Sequence, residues 1–400
     1  MRYLGYTKPR RICTELTRMG IFHGPTSTQF QLLCQRLPLP RQGNSQFAFF
    51  CPSRTRFHFR SLLLSAWSPT SSAMSNVTTS AHSLILTGKS SVENNLAKSL
   101  KTGNTIKLPE NEAHLSLWTE IGISEQKFNW NVFMDALATK KFGRLLLWSP
   151  ALPSTQDVVS HNFSELPVGA VCVTDVQYSG RGRSKNVWVS PSGCLLFSFT
   201  VQMEDGRVVP LLQYVISLAV TEAVKHLCKK NDLPCLDVRI KWPNDLYLNG
   251  LKVGGILCTS TYKSSKFNVS AGIGLNVDNE TPTTCLNKEL QKLTSSNHVL
   301  RREDILAAFF NNFENLFELF INSGFRSLEE RYYKTWLHSG QRVIVQEKLE
   351  GEIGESVVTI QGLTASGFLQ AVGDDGQIYE LHPDGNSLDF FKGLIKRKVA

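Results

Sequence analysis

The chain has 400 residues, of which 42% are hydrophobic, enough for about two or three domains with full cores. Its formal net charge of +9 comes from residues 1–75, which hold nine arginines and Lys8 but a single acidic residue, Glu15. The remaining residues carry 33 basic and 33 acidic side chains. A neutral body lacks the basic surface of a nucleic-acid-binding domain, so no nucleic-acid partner is expected. The apolar runs are too short for a membrane-spanning helix, so no membrane partner is expected either.

Residues 1–75 have the composition of a targeting segment. They are basic, almost free of acidic residues and contain many serines and threonines, with apolar patches at 47–50 and 61–64. This composition is typical of an organelle transit peptide, so we predict a disordered leader that directs the chain to the chloroplast, the mitochondrion or both. An artefactual extension is the alternative. The arginine-rich composition ends at Met74, which would then start a cytosolic form.

Residues 76–129 are polar and of mixed composition, and we interpret them as an N-terminal linker or weakly ordered shoulder. The main folded domain is predicted to follow over residues 130–338. Its first part contains a short helical pattern and three β-rich runs, and the last two runs flank an arginine-rich loop. The helix is predicted at 132–138 and the strands at 143–148, 168–176 and 194–201.

The next segment combines a helix with a hairpin. Apolar residues recur at helical spacing from Pro210 to Leu227, which predicts a helix packed on a sheet. Val238–Trp242 alternates like a strand, and Asn249-Gly250 between two apolar runs is the strongest short-range signal for a β-hairpin. Antiparallel neighbours of this kind favour an α+β sheet with helices on one face.

The last third changes character at residue 340. A long helix is predicted from about 302 to 322, and its phenylalanine stripe indicates core packing rather than a cofactor site. Short β-like runs separated by turns rich in Gly, Asp and Pro predict a small all-β domain over 340–395.

The nine cysteines never occur as Cys-x-x-Cys, and their odd number does not suit a disulfide framework, so reduced thiols are expected. Cys172, Cys194 and Cys258 lie in apolar strand-like runs and are predicted to act as small hydrophobic residues. The nine histidines show no metal-ligand spacing, so no structural metal is predicted.

The loop Gly180–Asn186, with the sequence Gly-Arg-Gly-Arg-Ser-Lys-Asn, carries the clearest chemical signal. Its glycines let the backbone approach a ligand closely, and its cationic side chains suit a bound anion such as phosphate. Neither standard nucleotide motif fits. The dinucleotide pattern needs glycine where Lys185 stands, and a P-loop ending at Ser90 needs glycine where Ser83 stands. A nucleotide would therefore be bound on another scaffold.

Six ordered sequence blocks together resemble the biotin–protein ligase (holocarboxylase synthetase) family, over about residues 140–395. The resemblance is to a eukaryotic, plant-like member without a DNA-binding domain. It implies a fold related to class II aminoacyl-tRNA synthetases with a C-terminal SH3-like domain. The blocks are Pro153–Asp157, Gln177 with Gly180–Arg183, Trp188–Gly193, Lys241–Asp245, Lys252–Leu257 and Ala271–Val277.

The resemblance also implies a reaction and a set of site residues. Biotin and ATP would form biotinyl-5′-AMP and pyrophosphate, and biotin would then pass to the lysine of a biotin carboxyl carrier domain in acetyl-CoA carboxylase or a related carboxylase. Arg181, Arg183 and Lys241 would be catalytic and would contact both biotin and the adenylate, with Asn276 meeting adenine. Mg²⁺ would accompany ATP, with Asp245 as its candidate contact. The other residues expected to bind biotin are Ser154, Thr155, Gln156, Gln177, Gly182, Trp188, Gly254 and Gly255.

Two other functions remain open at this point. A lipoate–protein ligase shares the fold but takes a different acyl substrate, and competition by lipoate would reveal it. An RNA-binding module could also use an arginine-glycine loop, and its affinity would fall steeply with salt without any need for ATP. The oligomeric state is not predicted.

Overall fold

A computed structural model describes residues 83–108, 114–117, 128–279, 281–349, 352–383, 386–389 and 392–397. The predicted leader over residues 1–75 lies outside these described residues. Within them, no helix combines the length and the apolar character that crossing a membrane requires.

The centre of the catalytic domain is a nine-stranded sheet. Its strands are β1 (Ser83–Gly88), β2 (His114–Leu117), β3 (Leu145–Leu152), β4 (Val171–Gln177), β5 (Cys194–Met203), β6 (Arg239–Lys241), β7 (Asp245–Leu248), β8 (Leu251–Lys263) and β9 (Lys266–Asn276). Their order across the sheet is β2-β1-β3-β4-β5-β9-β8-β7-β6. All neighbours are antiparallel except β1–β2 and β3–β4. The mostly antiparallel α+β sheet predicted from the sequence is therefore confirmed.

The predicted hairpin lies between β7 and β8. Asn249 and Gly250 have φ angles of 50° and 77°, the two positive values that a type I′ turn requires. This turn pairs Tyr247 with Lys252, and a register shift between Leu246 and Tyr247 then places Asp245 opposite Gly255. The hairpin thus brings two of the motif blocks side by side.

Helices cover both faces of the sheet. They are α1 (Ser91–Gly103), α2 (Trp130–Ala136), α3 (Thr155–His161), α4 (Leu212–Lys230), α5 (Leu286–Leu293), α6 (Arg302–Ser323) and α7 (Glu329–Thr335). On β3, Leu146 and Trp148 join the large core with α2, α4 and α6, whereas Leu145 and Leu147 join a smaller core with α1 and α3. The expectation of helices on one face is wrong, because β3 is apolar on both sides and needs two covers.

Helix α6 packs its phenylalanine stripe on β5, which confirms the predicted core packing of the stripe. Phe313 and Phe199 make an edge-to-face contact with ring centroids 5.1 Å apart, and Phe309 meets Phe197 at 5.2 Å. Such aromatic pairs stabilise a core by about 0.5–1.5 kcal/mol each beyond the burial of their area. The phenylalanine stripe is part of the core. It packs against the face of β5 opposite the candidate site.

The interpretation of residues 76–129 as a linker is wrong for residues 83–108. Strand β1 pairs with β3, and α1 begins with a capping box in which Ser90 and Glu93 satisfy each other's backbone N–H groups. Glu93 also forms an ion pair with Arg144 at 2.6 Å. The short strand was hidden by polar flanks, but the Ser-x-x-Glu spacing was a visible signal for the helix start.

The cysteine prediction is confirmed for the strand positions. Cys172 and Cys194 are fully buried and Cys258 is half-buried, and all three are free thiols. Burial raises the pKa of Cys194 and of Cys258 to about 12. These thiols therefore stay protonated at neutral pH and are packing groups rather than nucleophiles.

The C-terminal domain is a six-stranded sheet, so the predicted small all-β domain is confirmed. Its strands are β10 (Arg342–Leu349), β11 (Glu352–Leu363), β12 (Leu369–Gly373), β13 (Ile378–Leu381), β14 (Asn386–Asp389) and β15 (Leu394–Arg397), in the order β13-β12-β11-β10-β15-β14. Val343, Ile360 and Leu369 belong to the same hydrophobic cluster as the catalytic core. A continuous apolar contact of this kind holds two domains in a fixed arrangement.

Candidate functional site

One cavity of about 210 Å³ brings together most of the predicted site residues. It lies among the start of α3, the loop between β4 and β5, and the strands β6, β7 and β8. The predicted residues that line it are Ser154, Thr155, Gln156, Gln177, Arg181, Gly182, Arg183, Trp188, Lys241, Asp245 and Gly255. Residues from distant parts of the sequence thus converge on one space.

The arginine loop between β4 and β5 folds back on itself like a small hairpin. The backbone N–H of Trp188 donates to the carbonyl of Gly180 at 2.9 Å, and the N–H of Gly182 donates to the carbonyl of Asn186 at 2.8 Å. A Cβ atom on Gly180 would lie 2.4 Å from the Trp188 carbonyl oxygen, so only glycine permits this closure. The fold-back directs Arg181 and Arg183 to the cavity.

The polar residues at the start of α3 hold one another in place. The backbone N–H of Thr155 donates to Gln177 Oε1 at 2.8 Å, and its hydroxyl lies 2.8 Å from Ser198 Oγ. Gln177 Nε2 in turn donates to Ser190 Oγ at 3.2 Å. Ser154 occupies the N-cap position without a side-chain capping bond and is 2% exposed. A fixed set of hydroxyl and amide groups therefore faces the cavity.

Gln156 presents a buried acceptor to the cavity. Its Nε2 atom donates to Thr259 Oγ1 at 2.9 Å and to the Ser270 carbonyl at 2.8 Å. Its Oε1 atom is buried and has no hydrogen-bond partner within the described part of the chain. Leaving a buried amide oxygen unpaired costs about 1–3 kcal/mol, so this atom is suited to accept a hydrogen bond from a ligand N–H.

Trp188 lies flat against a glycine-lined patch of the sheet. A Cβ atom on Gly274 would approach Trp188 Nε1 to 2.5 Å, whereas a Cβ on Gly255 would meet the ring at 3.5 Å. Lys252 Nζ lies over the ring, 5.4 Å from its centroid. The glycines of the last two motif blocks thus make room for an indole that forms the apolar wall of the cavity.

Three predicted cations meet at the cavity, each with a protein partner. Arg181 forms an ion pair with Asp157, and Arg183 donates to Asn244 Oδ1 at 3.3 Å. Lys241 Nζ lies 4.0 Å from the nearer carboxylate oxygen of Asp245 and its side chain is 16% exposed. This concentration of partly buried positive charge suits a ligand with more than one anionic group.

Asp245 also receives Lys252, whose Nζ lies 2.6 Å from Oδ1. Lys252 was not predicted as a site residue, although it belongs to one of the motif blocks and lines the cavity. Within the described ranges, no three His, Cys, Asp or Glu side chains cluster as metal ligands. Asp245 is the one carboxylate among the residues that line the cavity, and a magnesium ion can take a single protein carboxylate and draw its remaining oxygens from phosphates and water.

Two of the predicted residues, Gly254 and Asn276, are not among those that line the cavity. Gly254 faces the opposite side of β8 from Gly255, toward Leu246, because successive strand residues point to opposite faces. Asn276 is 2% exposed and its Nδ2 atom donates to the Thr284 carbonyl at 3.0 Å. Asn276 is therefore placed to hold the segment after β9.

Sequence reasoning also missed Asn244, Ser198 and Pro383, which line the same cavity. Asn244 stands inside a quoted block and could have been included. Pro383 lies in the C-terminal domain, in a segment interpreted only as a turn, and no local signal connects it to the arginine loop.

Comparison with known proteins gives the class. A model described as "Biotin/lipoate A/B protein ligase family" matches residues 148–276, and one described as "Biotin protein ligase C terminal domain" matches residues 338–393. The fold and the site therefore define a ligase of the biotin and lipoate class.

Two similar proteins narrow the assignment from this class to one family. "Biotin--protein ligase 1, chloroplastic" of Arabidopsis thaliana is 64% identical over 322 residues, which cover 79% of this chain and 88% of that protein. "Biotin--protein ligase 2" of the same plant is 62% identical and covers 79% of this chain and 98% of its own length. The chain belongs to the biotin–protein ligase family, and the resemblance seen in the six blocks is confirmed.

A solved structure is similar as well. The biotin protein ligase from Aquifex aeolicus in complex with biotin and ATP is 25% identical, with a TM-score of 0.45, and the match covers 62% of this chain and 97% of that chain.

Proposed function

We propose that the chain attaches biotin to a lysine of an acceptor protein in two steps driven by ATP. First, an oxygen of the biotin carboxylate attacks the α-phosphorus of ATP, the bond to pyrophosphate breaks, and biotinyl-5′-AMP forms. Next, the acceptor lysine amine attacks the acyl carbon, the bond to AMP breaks, and the amine proton passes to solvent as the amide forms. The observation that carries this proposal is the meeting of Lys241, Arg181 and Arg183 with a fixed polar set in one cavity.

The polar set suits the ureido ring of biotin. The free acceptor Gln156 Oε1 is matched to a ureido N–H, and the hydroxyl of Ser154 can donate to the ureido oxygen. Gln177 orients Thr155 through two hydrogen bonds. The indole of Trp188, seated on the glycine patch, provides the apolar surface for the thioether ring and the valeryl chain.

The cations suit the charged ends of the two substrates. The biotin carboxylate and the ATP phosphates repel each other, and both must come within reacting distance before any bond forms. Lys241, Arg181 and Arg183 neutralise this repulsion and the charge that develops at phosphorus, while Gly182 keeps the loop backbone close to the ligand. Removing one such donor typically costs about 3–4 kcal/mol of transition-state stabilisation.

Magnesium belongs to this proposal as a companion of the ATP phosphates. When bound, it supplies positive charge to the departing pyrophosphate. Asp245 offers it one carboxylate on the cavity wall, and Lys252 shares that carboxylate at 2.6 Å. A contact of Asn276 with adenine finds no support in its buried hydrogen bonds, so we assign Asn276 to holding the wall beside the site.

The acceptor we propose is a biotin carboxyl carrier domain of acetyl-CoA carboxylase or a related carboxylase. For localisation, the basic leader over residues 1–75 and the word "chloroplastic" in the name of one Arabidopsis relative support the chloroplast. Mitochondrial import and a cytosolic form that starts near Met74 are further parts of the proposal. A chain starting at Met74 would keep every described element, since β1 begins at Ser83.

The experiment incubates the full chain with ATP, magnesium, biotin and an apo carrier domain. Mass spectrometry then follows biotinyl-5′-AMP and the mass of the carrier separately. Lys241→Ala is expected to slow adenylate formation by roughly 10²- to 10³-fold. Lys334→Ala, which removes a surface lysine paired with Glu330, is the matched control and should behave as wild type. The proposal fails if the wild-type chain never forms the mixed anhydride, or if lipoate replaces biotin at equal concentration.

A further inference from the structure

Trp242 directly follows Lys241, the candidate catalytic lysine. One hydrogen bond holds its backbone and a second holds its indole ring. Its backbone N–H donates to His338 Nε2 at 2.9 Å, and its indole Nε1–H donates to the Tyr214 hydroxyl at 3.0 Å. All three side chains are almost completely buried, with exposures of 0–1%. The peptide that joins Lys241 to Trp242 is therefore fixed from two directions.

Both partners of Trp242 continue into the C-terminal domain. The Tyr214 hydroxyl donates to the carbonyl of Gly367 at 2.6 Å, in the turn between β11 and β12. His338 Nδ1 lies 2.9 Å from Gln341 Oε1, at the entry to β10. Two short hydrogen-bond chains thus connect the residue next to Lys241 with two separate points of the other domain.

The chemistry of these bonds assigns the histidine tautomer. Nε2 accepts the backbone N–H of Trp242, so it carries no proton, and Nδ1 carries the proton and donates to Gln341. Burial lowers the pKa of His338 to about 4. The ring is therefore neutral at physiological pH and remains an acceptor for the strand.

Strand β6 is short and forms few backbone hydrogen bonds, although Ile240 is buried in the core and Arg239 donates to the Lys334 carbonyl at 2.8 Å. It contains only three residues, Arg239–Lys241, lies at the edge of the sheet and pairs with β7 on one side. On its other side it meets Trp336 in a single bridge, and the backbone N–H of Leu337 donates to the Ile240 carbonyl at 2.9 Å. A three-residue edge strand has few ladder bonds of its own, so the anchoring of the next residue decides where Lys241 points.

We infer that His338, together with Tyr214, is a positioning residue for Lys241 and makes the placement of that ammonium depend on the C-terminal domain. The inference rests on the proposed function, in which Lys241 contacts the carboxylate and phosphate. His338 does not touch substrate. It acts by holding the Lys241–Trp242 peptide so that the ammonium is in place before ATP binds.

The test compares two substitutions of one side chain in the full chain. His338→Phe keeps an aromatic ring and removes the acceptor, so it should lower the rate of adenylate formation by about 10- to 100-fold, the cost of a misplaced catalytic group. His338→Gln keeps an acceptor oxygen near the position of Nε2 and should recover most of the rate. A change in kcat with little change in the KM for biotin is expected, since the residues proposed to hold the ureido and thioether rings are untouched.

A double-mutant cycle separates positioning from general loss of stability. In the Lys241→Ala background, His338→Phe should have almost no further effect on single-turnover adenylate formation, because the group it positions is absent. Equal losses in both backgrounds would overturn the inference. Tyr333→Phe is the matched control. It removes a hydrogen bond of 2.9 Å to the Leu363 N–H, also between the domains, without touching β6.

If His338→Phe does not fold, Tyr214→Phe tests the same connection from the other side. It removes the hydroxyl that joins Trp242 to Gly367 and should also slow adenylate formation more than Tyr333→Phe does. An unchanged rate would overturn the inference. Failure of the proposed function is distinct, because there the wild-type chain itself would form no adenylate.

Discussion

The guanidinium of Arg183 donates a hydrogen bond of 2.8 Å to the backbone carbonyl of Pro383, although the two residues lie 200 positions apart in the chain. A second bond joins Arg183 to Asn244 at 3.3 Å. The arginine loop, the motif strand and the C-terminal domain therefore meet at one side chain. The cavity wall is built by both domains together, and neither domain alone would present Arg183 in this position.

We expect Arg183→Ala to slow adenylate formation by roughly 10²- to 10³-fold. Arg183→Lys should recover only part of the rate, because a lysine is a point charge and lacks the planar fork that reaches Asn244 and Pro383 together. Single-turnover kinetics measure both. Arg207→Ala, at a side chain 90% exposed, is the control. A lysine variant with the wild-type rate would mean that only the charge at this position matters.

Gly274→Ala should disrupt the biotin pocket, because its Cβ would lie 2.5 Å from Trp188 Nε1 and force the indole away from the sheet. Overpacking of this kind typically costs about 1–3 kcal/mol. Gly255→Ala is the matched control, since its Cβ would meet the same ring at an ordinary 3.5 Å. Calorimetric titration with biotin should show a clear loss of affinity for the first variant and a small one for the second. Equal affinities would contradict the described packing of Trp188.

Gln156 should discriminate between biotin and an analogue whose ureido nitrogen is methylated. The wild-type chain offers Oε1 to the N–H of biotin, so the analogue should bind more weakly by about 1–3 kcal/mol. In Gln156→Leu, biotin itself should lose affinity, and the difference between the two ligands should shrink. Competition binding measures both. A preference for biotin that survives in full in Gln156→Leu would place the N–H contact elsewhere.

The stability of the fold should depend on pH through His338. In the folded state, burial lowers the pKa of His338 from its ordinary value of 6.5 to about 4, and the Lys241 ammonium makes a smaller contribution in the same direction. As pH falls below 6.5, the unfolded chain binds the proton first, so stability is full above 6.5 and is lost progressively down to about 4. The loss from this residue is about 3 kcal/mol. Urea unfolding of the wild type and His338→Gln at several pH values isolates it, and parallel curves would contradict the prediction.

The local geometry of the fold could be predicted well from the sequence. The Asn249-Gly250 hairpin, the phenylalanine stripe of α6 and the loop between β4 and β5 all follow from spacing and turn chemistry within a few residues. The same motif blocks predicted eleven of the cavity residues, because glycine, arginine and lysine at fixed spacing are typical of a site that binds an anionic ligand. Local patterns of this kind depend on interactions close in sequence.

The features that the sequence did not predict depend on contacts between residues that are distant in the chain. β1 is a short strand between polar flanks, and only its pairing with β3 reveals it as part of the sheet. Gly254 and Gly255 look equivalent in sequence, and the direction of the strand decides which one faces the cavity. Pro383 and His338 gave no local signal, because their roles come from two domains that share one core.

Strand β1 also sets a practical limit for anyone who shortens this protein. It lies along one edge of β3, so a product that began at Trp130 would leave the amide and carbonyl groups on that edge of β3 unpaired, a ready template for aggregation. Affinity tags and fusion partners therefore belong ahead of Ser83. A peptidase that trims the amino terminus must likewise cut before Ser83 if the remaining enzyme is not to aggregate.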